Sequence, residues 1–148
     1  MTTTTLQPWP TLHRPHAGHP VRSLQCLLRA HAHGIAVDGT FGPATEQAVR
    51  SFQASSHLTV DGYAGPQTWA RIIITVRRGD KNDAVRGVQE DLARRDPTSP
   101  KLLFAIDGDF GPTTDWWVRA FQQSVGLSVD GVVGPRTWQA MASGMGAD

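Results

Sequence analysis

The chain has 148 residues, 18% of them charged, with a formal net charge of +1 at pH 7 and a single cysteine. Without a cluster of lysine and arginine there is no phosphate-binding stripe, so a nucleic-acid partner is not expected. One cysteine, Cys26, excludes an internal disulfide. No run reaches the roughly 18 apolar residues of a membrane span.

The first segment, 1–19, is rich in Thr, Pro and His and reads as an N-terminal tail or lead-in. As written it has neither a basic n-region nor an apolar h-region, so it is not expected to be a signal peptide. His13, His16 and His19 are three apart, but Pro15 and Pro20 interrupt any helix through them. Neither a His-Glu-x-x-His motif nor a Cys pair accompanies them, so no metal site is expected and the histidines read as solvated.

From Val21 the pattern turns helical. Val21, Leu24, Leu27 or Leu28 and Ala32 recur at steps of three and four, which puts them on one face. Cys26 falls within this helix and is expected to be a buried thiol. Gly34 is expected to end the helix, with His31 and His33 placed where a cation suits the dipole. Asp38-Gly39 then signals a turn, because the carboxylate accepts from the backbone two residues on and glycine adopts positive φ cheaply. Pro43 suits the first position of a second helix. Thr45 is expected to bond back toward its cap. Ala48, Val49, Phe52 and Ser56 share one face of this helix. Asp61-Gly62 repeats the turn, and Gly65-Pro66 opens a short third helix that holds Trp69. The β-branched run Ile72-Ile73-Ile74-Thr75-Val76 does not resemble a flexible linker and is expected to be packed.

Everything then happens again. Asp-Gly-x-x-Gly-Pro-x-Thr starts at Asp38, Asp61, Asp107 and Asp130. Nineteen of 32 positions are identical between 38–69 and 107–138 without a gap. Upstream, Val21-Arg22-Ser23-Leu24-Gln25 matches Val85-Arg86-Gly87-Val88-Gln89. The second copy carries its extra residues near Asp96-Pro97-Thr98-Ser99-Pro100, a loop by its prolines. Internal repetition sets the architecture. The expected fold is all-α: an N-terminal tail at 1–19, one three-helix module at 20–74, a second at 75–143 and a C-terminal tail at 144–148. Phe41, Phe52 and Trp69, with Phe110, Phe121 and Trp138, are expected to anchor the two cores.

The runs Val76-Arg77-Arg78-Gly79-Asp80, Ala84-Val85-Arg86-Gly87-Val88-Gln89, Asp107-Gly108-Asp109-Phe110-Gly111-Pro112-Thr113-Thr114, Val118-Arg119-Ala120-Phe121-Gln122 and Gly134-Pro135-Arg136-Thr137-Trp138 resemble the peptidoglycan-binding domain found beside bacterial cell-wall hydrolases. The first module resembles it through Leu24-Gln25, Phe41-Gly42-Pro43, Phe52-Gln53 and Gly65-Pro66-Gln67-Thr68-Trp69. Together the matches span about 20–143. The resemblance implies a compact three-helix fold without catalysis of its own, which anchors an attached hydrolase to the wall. The chain departs from the pattern at Arg14-Pro15-His16-Ala17-Gly18-His19-Pro20, which opens the first module, and at Trp116-Trp117. No hydrolase is attached to the sequence as written.

Three functions follow as expectations. The leading one is non-catalytic binding of peptidoglycan, by its glycan or its stem peptide, through two tandem modules whose combined avidity exceeds either alone. The second is a structural or wall-targeting part of a phage-tail-like or other secreted assembly, with a cell-wall hydrolase or the assembly as partner. The third, a hydrolase, finds no support in the residues: the four aspartates read as turn formers, and no nucleophile with a positioned base is visible. No catalytic residue, cofactor or metal is expected. Tyr63, Trp116, Arg50, Arg119 and Arg136 are the expected ligand-contact residues, the aromatics by stacking and the arginines by pairing with carboxylates. The ligand implies a cell-wall or extracellular location, reached without a standard signal.

Overall fold

The computed structural model describes residues 5–95 and 106–146. The extra loop expected at 96–100 lies outside the described residues. Among the described residues six helices run in chain order: α1 (Val21–Ala30), α2 (Pro43–Ser55), α3 (Pro66–Ile72), α4 (Asp83–Arg95), α5 (Pro112–Val125) and α6 (Pro135–Ala142). Among the described residues the remaining regular pairing is four isolated antiparallel bridges. The fold is all-α, as the helical periodicity predicts, with α1–α3 and α4–α6 as successive copies. No helix of the described residues is long and apolar enough to cross a membrane.

The expected apolar faces are the buried ones. Val21, Leu24, Leu27 and Leu28 of α1 are fully buried, and so are Val85 and Val88 of α4. Burying one such side chain stabilises by about 1.5–3 kcal/mol. All six expected aromatic anchors are buried, and so is Cys26.

α1 stops four residues before Gly34. The amide of His33 reaches the Leu28 carbonyl at 3.0 Å and that of Ala32 reaches Arg29 at 2.9 Å. This double closure is a Schellman ending, with Ala32 at φ 71° in the left-handed place that glycine would occupy without strain. His57, at φ 58°, does the same after α2, where α5 uses Gly126 at φ 79°. The His31 ring is held at this helix end by two contacts. Its Nε2 donates to the Ile72 carbonyl at 2.8 Å, and the ring packs edge-on against Phe52.

The N-terminal segment is part of the first module. Leu12 is buried and exchanges both backbone bonds with Ala64, at 3.0 and 2.8 Å. Trp9 stacks on Trp69, whose Nε1 donates to the Pro10 carbonyl at 3.0 Å. The second module repeats this with Val76 paired to Val133 and Trp138 Nε1 donating to the Ile74 carbonyl at 2.9 Å. Segment 9–12 therefore does for the first copy what 73–76 does for the second, and packing does not stop at the 19/20 boundary. His19 is likewise no solvated residue: its Nε2 lies 2.8 Å from Oδ1 of Asp91, a carboxylate whose side chain is 1% exposed. The C-terminal stretch also packs, because Met145 rests against the core and its carbonyl accepts from Arg95.

The modules share one hydrophobic core. Its centre is the α1–α4 pair, the most extensive helix contact. Ser23 and its repeat equivalent Gly87 meet there, with Ser23 Oγ donating to the Gly87 carbonyl at 3.2 Å. A Cβ on Gly87 would stand 3.2 Å from Cβ of Cys26 and 3.3 Å from the Trp138 ring, so glycine is what permits this approach. Ile72 and Val76 are fully buried. The run between the modules is packed, as its β-branched composition predicts.

Candidate ligand grooves

Each Asp-Gly turn is organised by a buried glutamine on the preceding helix. Gln53 is typical. Its Oε1 accepts from the amides of Asp61 and Gly62, at 3.1 and 3.0 Å. Its Nε2 donates to Asp61 Oδ1, the Tyr63 carbonyl and Thr68 Oγ1, at 2.9, 2.9 and 3.1 Å. Gln25, Gln89 and Gln122 make the same five bonds to the turns at Asp38, Asp107 and Asp130. A primary amide has two N–H donors and a two-lone-pair acceptor, so its two hydrogens are shared among the three acceptors while the oxygen takes both amides. The motif threonines are spent on this network: Thr45 Oγ1 accepts from Gln25 instead of bonding back to its cap. The helix caps are Gly42, Gly65, Gly111 and Gly134, each followed by proline.

The aspartates are turn formers in detail. Asp38 Oδ1 accepts from the Thr40 amide at 3.0 Å, Asp61 from Tyr63 at 2.9 Å and Asp107 from Asp109 at 2.9 Å. These backbone bonds, aided by the glutamine amide, hold all three carboxyls below their usual range. A carboxyl so held is ionised at neutral pH and has no proton to give as a general acid. Burial pushes the Cys26 thiol up to about 12, which makes it a poor nucleophile. No group of three His, Cys, Asp or Glu among the described residues is arranged to hold a metal ion.

This scaffold shapes a pair of equivalent open grooves, one from each copy. In the first, of about 380 Å³, Leu58 and Thr59 leave α2 opposite the start of α3 at Pro66 and Gln67, with Tyr63 and Thr11 at the rim. The second, of about 240 Å³, has Leu127 and Ser128 opposite Pro135 and Arg136, with Val132 in place of Tyr63. Eight of the ten residues lining the first groove, all but Thr11 and Gln53, have counterparts lining the second at the repeat offset.

The five expected contact residues do not converge. Tyr63 lines the first groove and is 50% exposed, and Arg136 lines the second. Arg50 and Arg119 sit over the Asp-Gly turns beside Gly62 and Gly131. Each is committed to a carboxylate one turn earlier, Glu46 and Asp115, at 3.1 Å. Trp116 is 62% exposed and packs edge-to-face with Trp117, outside both groove linings. Sequence reading missed His13, which stacks on Tyr63 with centroids 4.8 Å apart and planes at 20°. It also missed the four glutamines, although an apolar residue followed by Gln recurs before every turn.

A cleft of about 370 Å³ also runs along the α1–α4 seam, past His19, Arg22, Glu90 and Arg94. Its charges pair with one another: Arg22 with Glu90 at 3.8 Å, and Arg94 with Asp91 at 4.0 Å. It is the seam of the two modules.

The model of the family described as "Putative peptidoglycan binding domain" matches residues 17–72 and 81–141, one segment per module. The chain belongs to this peptidoglycan-binding domain family. Among its relatives, the zinc D-Ala-D-Ala carboxypeptidase of Streptomyces albus G is 37% identical over 98 residues, 66% of this chain and 36% of that protein. The N-acetylmuramoyl-L-alanine amidase CwlL of Bacillus licheniformis is 37% identical over 111 residues, 70% of this chain and 30% of that protein. The chain therefore spans about a third of these relatives. A peptidoglycan-binding protein of Clostridioides difficile is similar in structure at 32% identity and a TM-score of 0.42, covering 43% of this chain and 40% of that one.

Proposed function

We propose that the chain is a non-catalytic binding unit for bacterial cell-wall peptidoglycan that engages the polymer through one groove in each module. The observation that carries this reading is the pair of equivalent grooves, built on the same glutamine-held turn in both copies of a peptidoglycan-binding domain. Two linked sites gain avidity when both can engage, and the shared core fixes their separation. The tied carboxylates and the inert thiol fit a module that holds substrate for chemistry done elsewhere. The intact chain is expected to be retained on purified sacculi and released by soluble muropeptides. No retention, where a known wall binder is retained, overturns the proposal.

Trp116 favours a second contact. An indole 62% exposed and away from both grooves suits a protein surface, such as a cell-wall hydrolase or a secreted, phage-tail-like assembly that this chain would direct to the wall. Trp116→Ala should then leave sacculus retention intact and weaken co-purification with that partner. A loss of retention would place Trp116 in wall binding instead.

A further inference from the structure

The two grooves share a floor but differ at the rim, and the difference names a ligand. In the first, the Leu12–Ala64 bridge sets His13 beside Tyr63. The imidazole covers one face of the phenol ring, and the ring remains half exposed at the groove rim. Around it stand Thr11, Thr59 and Gln67, all neutral hydrogen-bonding side chains. Asp61 is the one charged group among the described lining residues, and its Oδ1 is already bonded to the Gln53 amide and the Tyr63 N–H. In the second groove, the Val76–Val133 bridge sets Arg77 beside Val132, and Arg136 lines the wall.

Building on the proposed wall binding, we infer that the first groove recognises the glycan strand, by stacking the C–H face of an N-acetylated sugar on the His13–Tyr63 platform. A pyranose offers a flat apolar face ringed by hydroxyl and amide groups. An aromatic face ringed by Thr11, Thr59 and Gln67 is its complement: the ring takes the apolar face, and the uncharged side chains exchange hydrogen bonds with the rim. For a stem-peptide carboxylate the lining itself offers no lysine or arginine, and Arg50 beside Gly62 is already paired with Glu46. His13 braces Tyr63 from behind, so the rotamer is set before the ligand arrives and less freedom is lost on binding. The second groove, with Val132 in place of the ring and arginine at its wall, lacks this platform.

The test uses the full chain and two probes: an N-acetylglucosamine tetramer, which carries no stem peptide, and a free stem peptide. The tetramer is expected to bind saturably by calorimetry and to shift the Tyr63 and His13 signals in NMR. Tyr63→Ala should weaken that affinity by about tenfold, the loss of one stacking contact. Tyr63→Phe should restore it to within about twofold, and His13→Ala should fall between the two. Arg78→Ala, exposed and outside both groove linings, should leave it unchanged. Both Tyr63 and His13 are exposed, and unchanged thermal melts confirm that the variants fold. Sacculi retained without tetramer binding, or a Tyr63→Ala variant that binds the tetramer like the parent, overturns the glycan assignment and leaves wall binding standing. Tetramer binding that depends on Tyr63, without retention on sacculi, supports the sugar site and removes the wall reading.

Discussion

The two modules are nearly the same object inside and different objects outside. Within each, two glutamines make identical sets of five bonds to two Asp-Gly turns, and a tryptophan closes on an incoming backbone carbonyl. At the rims, Val132 stands in the second copy where Tyr63 stands in the first, and Arg136 where Gln67 stands. The difference has a physical source. A buried polar group without a partner costs about 1–3 kcal/mol, so the turn network tolerates little change. A rim residue in water carries no such penalty, and the copies were free to diverge there. Sameness between the copies therefore marks structure, and the differences at the rims fall at positions that water already solvates.

The sharpest way to break this comparison is through the glutamines. Gln53→Leu should cost about 3–5 kcal/mol in urea unfolding, because it strands two amides, a carbonyl, a hydroxyl and a carboxylate that the amide had satisfied. Gln122→Leu should cost the same within about 1 kcal/mol. A cheap substitution in either copy would show that the turns hold themselves. Next comes the seam. Gly87→Val should cost about 2–3 kcal/mol by forcing α1 and α4 apart, whereas Ser23→Gly at the equivalent place should cost about 1 kcal/mol. If Gly87→Val is neutral, the modules do not depend on their shared core. Trp69→Phe and Trp138→Phe should each lose about 1–2 kcal/mol, from one buried hydrogen bond and some volume. A larger loss at Trp138 would indicate that segment 73–76 is held more tightly than segment 9–12.

The smallest effect is on pH dependence. The carboxyls of Asp38, Asp61 and Asp107 are held below the ordinary value of 3.8 in the folded chain. A lowered folded value means that the ionised form favours folding, so this contribution is complete above about pH 4 and fades as pH falls through the folded value. Unfolding midpoints should therefore drop on the acid side, below pH 4, and less so in Asp38→Asn and Asp107→Asn variants. A flat acid limb would count against the backbone bonds as the cause.

Much of this was legible in the sequence. The repeat and the 3.6-residue spacing of Val21, Leu24 and Leu28 mark helices, and proline after glycine marks where they start, because those signals are local. The end of α1 was not legible. Ala32 takes a positive φ where Gly34 looked the better stop, and only the closing bonds to Leu28 and Arg29 select it. The 1–19 segment also misled. Its Thr, Pro and His content reads as solvated, yet Leu12, Trp9 and His19 find Ala64, Trp69 and Asp91 from fifty or more residues away. The candidate site divided in the same way. Tyr63 and Arg136 lie in grooves, while Arg50 and Arg119 are held by carboxylates on their own helices.

The sequence by itself determined that there are two copies, six helices and four glycine-proline starts, since each follows from spacing and backbone conformation within a short window. Tertiary structure decided what those copies share and what they offer. It brought Ser23 to Gly87 to fuse the cores, and it folded His13 back onto Tyr63 to build a platform in one groove and not the other. Both depend on contacts between residues about fifty or more positions apart, which no local pattern encodes.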